Sequence, residues 1–197
     1  ATLASYTGIP GGLWVEKDLR LEIGAFMRTL LADEGLEIGG YDSRYTLPLR
    51  PSGGDPVADD AAMAQYTPGF VAAFNEWTRN GLKVQIDEPY RPIVFQPINA
   101  LWNWGLGPGM PSPPHNYAED LAIAMRRNPS LLLFVGSGYY DLVTTMDAAD
   151  YALAHAGLPS ERVTRRIYES GHMPYLGEES ADQLNRDVRA FIESALP

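Results

Sequence analysis

The 197-residue chain contains no cysteine. A disulfide framework, a thiolate zinc site and a cysteine nucleophile are therefore excluded, and the redox compartment stays open. Positive charge is scarce. Lysine and arginine total 15 against 25 aspartates and glutamates, giving a net charge of −10. A phosphate backbone would be repelled and no basic cluster offsets that, so no nucleic-acid partner is expected. The same acidity argues against docking on an anionic membrane surface. Long hydrophobic runs are missing as well. The longest, residues 131–135, is far too short to span a bilayer, so no membrane partner is expected. The opening "ATLASYTGIP" lacks the basic and apolar regions of a secretory signal. Only three histidines occur, His115, His155 and His172. None has H-E-x-x-H spacing, so no metal site is expected. "GSGYYD" fails as a dinucleotide fingerprint because Asp141 falls where the third glycine should be, and "GLGPGM" follows no strand. No repeat and no low-complexity tract is visible. One further absence matters most: no window reads G-x-S-x-G, the elbow that presents a serine nucleophile in α/β-hydrolases.

What is present is an ordinary globular composition, 45% apolar and 20% charged. The length supports one core, or one core with a smaller insertion. Leu19, Ile23, Phe26 and Leu30 recur at helical spacing and predict a helix ending at Gly35. Residues 39–60 are rich in Gly, Pro, Asp and Ser and read as loop. Thr67-Pro68 predicts the N-cap and first position of a second helix, with Phe70, Val71, Phe74 and Trp77 facing inward. Residues 89–114 carry seven prolines with Trp102 and Trp104. They read as an ordered connector or pocket wall, because two tryptophans are costly to leave in water.

After this boundary the pattern changes. Asn116, with Glu119 at N3, predicts a capped helix stopped by "NP" at 128–129. "LLLFVG" predicts a strand buried on both faces. Thr145 opens a helix that closes at Gly157, and "RVTRRIY" predicts another strand. "SADQ", Ser180 to Gln183, reads as a capping box before a helix with Leu184, Val188, Phe191 and Ile192 inward. Strand, helix, strand, helix implies an α/β fold with parallel strands.

In such a sheet the chemistry collects just past the carboxyl ends of the strands. Asp141 follows the first of these strands and His172 the second. A carboxylate there can take the Nδ1 proton of an imidazole, orient the ring and stabilise the imidazolium formed when Nε2 accepts a proton. That pair activates a hydroxyl nucleophile, and the order Asp then His is that of α/β-hydrolases. Neither Ser137 in "VGSGYY" nor Ser170 sits on an elbow; the first reads as part of a flexible glycine segment and the second as a turn residue. Asp42, Ser43 and Arg44 read as a salt-bridged turn or as substrate contacts. His155 reads as a core or helix-terminal residue. Trp102 and Trp104 read as packing or as walls of an apolar pocket.

"GSGYYDLVTT", "LAHAGL" and "RRIYESGHMPY" resemble the C-terminal third of the serine carboxypeptidases of peptidase family S10, especially the bacterial ones. "LRLEIGAFMRTLLADEGLEIGGYDSRYT" resembles the helical cap that precedes the last two strands there. The resemblance implies that residues 1–110 are the cap and residues 111–197 the C-terminal segment of an α/β-hydrolase fold. It implies that Asp141 and His172 belong to a Ser-Asp-His triad, with Met173 beside the departing C-terminal residue of a peptide substrate. It implies no cofactor and a secreted or periplasmic setting. The elbow and oxyanion donors would precede Ala1. The expected partner is thus an N-terminal half of the same protein carrying the serine; two strands left uncovered would expose Leu132, Phe134 and Ile167, so self-association is the other expectation. An esterase or acyltransferase on the same scaffold, or a catalytically silent binding module, are the alternative readings. Thr145 and Pro174 depart from the family pattern without removing a catalytic atom.

Overall fold

A computed structural model describes residues 2–50, 54–103, 107 and 116–196. The architecture mixes helix and strand, about half helical and one tenth strand, with one antiparallel and one parallel two-stranded sheet among the described residues. The chain divides into two compact units, Ala1–Pro111 and Ser112–Pro197. Trp104 and His115 lie outside the described residues.

The first unit begins with helices α1 (Thr2–Thr7), α2 (Gly11–Glu16) and α3 (Ile23–Thr29). The α3 helix is shorter than its apolar spacing predicts. Asp18 and Leu19 both adopt positive φ, 49° and 60°, so the chain reverses there and leaves Leu19 exposed ahead of the helix. A 3-10 turn, Ala32–Glu34, ends at Gly35 with φ 71°, a left-handed conformation that glycine adopts without a Cβ penalty.

The region read as loop contains a strand. Strands β1 (Leu36–Ile38) and β2 (Thr46–Pro48) form an antiparallel hairpin. Arg50 closes its base on the buried Glu37 at 2.7 Å. Asp42 and Arg44 make the turn at its tip, two guanidinium nitrogens meeting the two carboxylate oxygens at 2.9 and 2.7 Å.

Helix α4 (Ala61–Glu76) starts six residues before Thr67, and Pro68 lies inside it. Asp60 is the N-cap. Its Oδ1 accepts from the backbone of Ala62 and Met63, while Oδ2 accepts from Gly40 at 2.5 Å. A carboxylate that satisfies two orphan helix donors, interacts with the helix dipole and also ties down the hairpin outweighs the single hydroxyl of Thr67. The Thr67 Oγ1 is left buried without a hydrogen-bond partner among the described residues. Phe70, Phe74 and Trp77 do not face inward; all three are exposed, and Phe74 stacks on Tyr90 with ring centroids 4.2 Å apart. The core of this unit sits instead around Ile9, Ile38, Ala61 and Ala62. A π-helical turn, Trp77–Gly81, and helix α5 (Phe95–Leu101) follow. Within α5 lies Pro97, and Trp102 just beyond it is exposed.

In the second unit, α6 (Ala118–Arg127) has Tyr117 at its N-cap, one residue later than expected, while Oδ1 of Asn116 accepts from the backbone of Ala118 at 3.1 Å. Nη1 of Arg162 lies 3.0–3.2 Å from the carbonyl oxygens of Met125, Asn128, Pro129 and Leu131, which share its two protons, and so closes the other end. Strands β3 (Leu133–Gly138) and β4 (Val163–Tyr168) are parallel, with Leu133 opposite Val163 and Gly138 opposite Tyr168. The crossover between them is α7 (Met146–Ala154), capped by Thr145 Oγ1 on the Ala148 N–H. His155 ends α7; its ring stacks on Tyr151 and its Nδ1 lies 2.7 Å from the Tyr151 carbonyl. Gly157, two residues on, is left-handed at φ 69°.

Helix α8 (Glu178–Ala195) packs on both strands, with Phe191 against Phe134 at 5.4 Å. It begins before the expected capping box. Ser180 lies within the first turn and donates to the Leu176 carbonyl, while Glu178 and Glu179 supply the negative charge that a helix N-terminus favours. Leu184, Val188 and Phe191 are half-buried, whereas Ile192 is exposed. The strand read as buried on both faces is only half-buried over Leu133–Val135 and fully buried at Ser137 and Gly138.

Candidate active site

Strand β3 ends at Gly138, and its ladder continues into the loops. Tyr139 N–H donates to the Tyr168 carbonyl and Tyr140 N–H to the Ser170 carbonyl, both at 3.0 Å. The two loops therefore leave the sheet zipped together. The approach is close enough that a Cβ at Gly138 would overlap the carbonyl oxygens of Gly171 and Ser170. Glycine is required here for space rather than for its φ.

This zipper sets the depth at which the next side chains meet. Asp141 is 5% exposed. Its Oδ1 accepts from the backbone N–H groups of Val143 at 2.8 Å and Thr144 at 3.0 Å, an Asx turn that fixes the carboxylate plane. Its Oδ2 lies 2.9 Å from Nδ1 of His172 and accepts from the Thr144 hydroxyl at 2.6 Å. The His172 side chain is 35% exposed, so one side of the ring reaches solvent while the other is held by the buried carboxylate.

Asp141 and His172, 31 positions apart in sequence, are thus in direct hydrogen-bond contact. Met173 is half-buried in the same loop, its carbonyl accepting from Leu176 N–H at 2.9 Å. Ser137 is not in a flexible segment: it lies within β3, opposite Ile167. Ser170 is a buried turn residue whose hydroxyl donates to the Gly171 carbonyl.

Thr144 is the residue that sequence reasoning passed over. Its hydroxyl touches both members of the pair, lying 3.1 Å from His172 Nδ1 as well as on the carboxylate. The signal was the D-x-x-T spacing, which puts a hydroxyl three residues after a turn-forming aspartate; the neighbouring Thr145, a helix cap, obscured it.

A buried carboxylate on Nδ1 leaves Nε2 as the nitrogen for proton transfer, the arrangement of an acid–base pair that serves a hydroxyl nucleophile. Among the described residues no group of three or more His, Asp or Glu side chains is placed to hold a metal ion, and no helix is long and apolar enough to cross a membrane. The chain matches no protein-family model, no curated protein and no solved structure.

Proposed function

We propose that this chain supplies the aspartate and histidine of a Ser-Asp-His triad in a serine carboxypeptidase-like enzyme of the α/β-hydrolase fold. One observation carries the reading. A buried carboxylate and a half-exposed imidazole meet at 2.9 Å just past the ends of two parallel strands, where α/β sheets collect their chemistry. The resemblance of "GSGYYDLVTT" and "RRIYESGHMPY" to peptidase family S10 narrows the reaction to release of C-terminal amino acids from peptides.

In this scheme a serine outside these 197 residues attacks the peptide carbonyl. His172 Nε2 accepts the serine proton and then delivers it to the departing amine. Asp141 keeps the ring oriented and stabilises its cationic form. Met173 supplies apolar surface beside the departing residue. The steps draw on no metal and no organic cofactor.

The test is hydrolysis of a blocked dipeptide by the purified chain, alone and joined to the upstream segment of its gene. The chain alone is expected to be inert. The joined protein is expected to release the free C-terminal amino acid, and His172→Ala to abolish that release. Turnover by the chain alone, lost in Ser137→Ala, overturns the assignment. Release of an alcohol from esters without release of amino acids moves the activity to an esterase.

A further inference from the structure

We propose that Thr144 is a positioning residue that locks the proton of His172 on Nδ1 and holds the Asp141 carboxylate against the ring. The inference rests on the reading of Asp141 and His172 as an acid–base pair.

Donors and acceptors around the ring decide where its proton sits. A carboxylate only accepts, a hydroxyl donates one proton, and a neutral imidazole donates from one nitrogen and accepts at the other. The Asp141 oxygens face four donors: the N–H groups of Val143 and Thr144 on Oδ1, and the Thr144 hydroxyl and His172 Nδ1 on Oδ2. At 2.6 Å from Oδ2 the Thr144 hydroxyl gives its only proton to the carboxylate. Towards His172 Nδ1, 3.1 Å away, the same oxygen can then only accept. Oδ2 and Oγ1 both face Nδ1 as acceptors, so Nδ1 carries the proton and shares it between them. The opposite tautomer would face an Nδ1 lone pair against the carboxylate at 2.9 Å. It would also have to take the hydroxyl proton away from Oδ2.

Thr144 is exposed whereas Asp141 is buried. Its side chain therefore stands on the solvent side of the Asp–His contact, where water would otherwise bind Oδ2 and exchange with the ring proton. The backbone N–H of Thr144 already anchors Oδ1. One residue thus fixes both carboxylate oxygens, through its main chain and its hydroxyl.

Thr144→Val removes the hydroxyl at nearly constant shape, and Thr144→Ser restores it. Because the side chain is exposed, neither change threatens folding, and near-ultraviolet circular dichroism checks this. The chain is labelled with 15N-histidine, and the spectrum of His172→Gln assigns the His172 ring. Wild type and Thr144→Ser are expected to keep the proton on Nδ1 and protected from solvent. In Thr144→Val that proton is expected to exchange about tenfold faster, the effect of losing one hydrogen bond to a charged group. In the joined enzyme the same variant is expected to lower kcat about tenfold with KM unchanged, and Thr144→Ser to recover it. A Thr144→Val ring indistinguishable from wild type overturns the proposal, whatever the activity. If the ring proton responds but His172→Ala leaves peptide turnover intact, the lock stands and the peptidase reading falls.

Discussion

At Gly138 a methyl group would lie on the carbonyl oxygens of Gly171 and Ser170. Both are backbone atoms of the histidine loop, held by the Tyr140 N–H and by the turn itself, so they have little freedom to give way. Gly138→Ala is therefore expected to push the Asp141 and His172 loops apart, lowering stability by about 1–3 kcal/mol, the range for overpacking. Denaturant unfolding measures that loss, and the His172 ring spectrum should lose its protected Nδ1 proton. Unchanged values for both would mean that the zipper between the loops is not what sets the pair. The sequence made Asp141 and His172 legible because each follows a strand at a position that topology makes common to both. It did not make Gly138 legible in the same way. "GSG" reads as a flexible run, whereas the physical demand at its second glycine is space between two backbones.

Helix starts were readable where a single local signal marks them, and misplaced where a second signal inside the helix competes with the true start. Thr145 adjoins α7 and caps it, and Asn116 lies two residues ahead of α6, its Oδ1 accepting from Ala118. Thr67-Pro68 imitates a helix start inside α4, whereas Asp60, the residue that caps the helix, also reaches Gly40 in the hairpin, a contact that no local pattern announces. The attachment of α8 is another such long-range feature. Tyr168, the last residue of β4, donates its hydroxyl to Asp187 of α8 at 3.1 Å. Burial, reinforced by that hydrogen bond and by the Asp187 charge, pushes its phenol up to about 12 from the ordinary value near 10. The folded chain thus keeps this proton over a range in which the unfolded chain has released it. The stabilisation is complete below pH of about 10 and is lost as pH rises towards about 12. Thermal unfolding across that window is expected to show a shallower decline for Tyr168→Phe than for wild type. Equal slopes would show that Tyr168 does not link β4 to α8 in this way. Tyr66 in the first unit is also raised, by burial, its hydrogen bond with Tyr45 and the Asp42 charge, so only the difference between the two chains isolates Tyr168.

On the scale of the molecule, the charge of −10 and the exposed apolar side chains pull in opposite directions. Repulsion between like-charged copies opposes non-specific association. Yet Phe70 and Phe74 on α4, Trp77 in the π-helical turn that follows it, Ile98 and Leu101 on α5, and Ile167 on β4 all remain substantially exposed. Among the described residues, the parallel sheet has only two strands, each with an unpaired edge. Edges and apolar surface of this kind favour a pairing partner. The isolated chain is expected to sediment as more than a monomer, with association strengthening as salt screens the repulsion. A strictly monomeric profile at all salt concentrations would contradict this.

The nucleophile itself offers the most direct measurement. A fluorophosphonate, which captures an activated serine, is applied to the complete gene product and the labelled peptide is located by mass spectrometry. The account predicts a single modified serine on a G-x-S-x-G segment outside these 197 residues, with labelling lost in His172→Ala. A label on Ser137 or Ser170, or labelling that persists without His172, would contradict it.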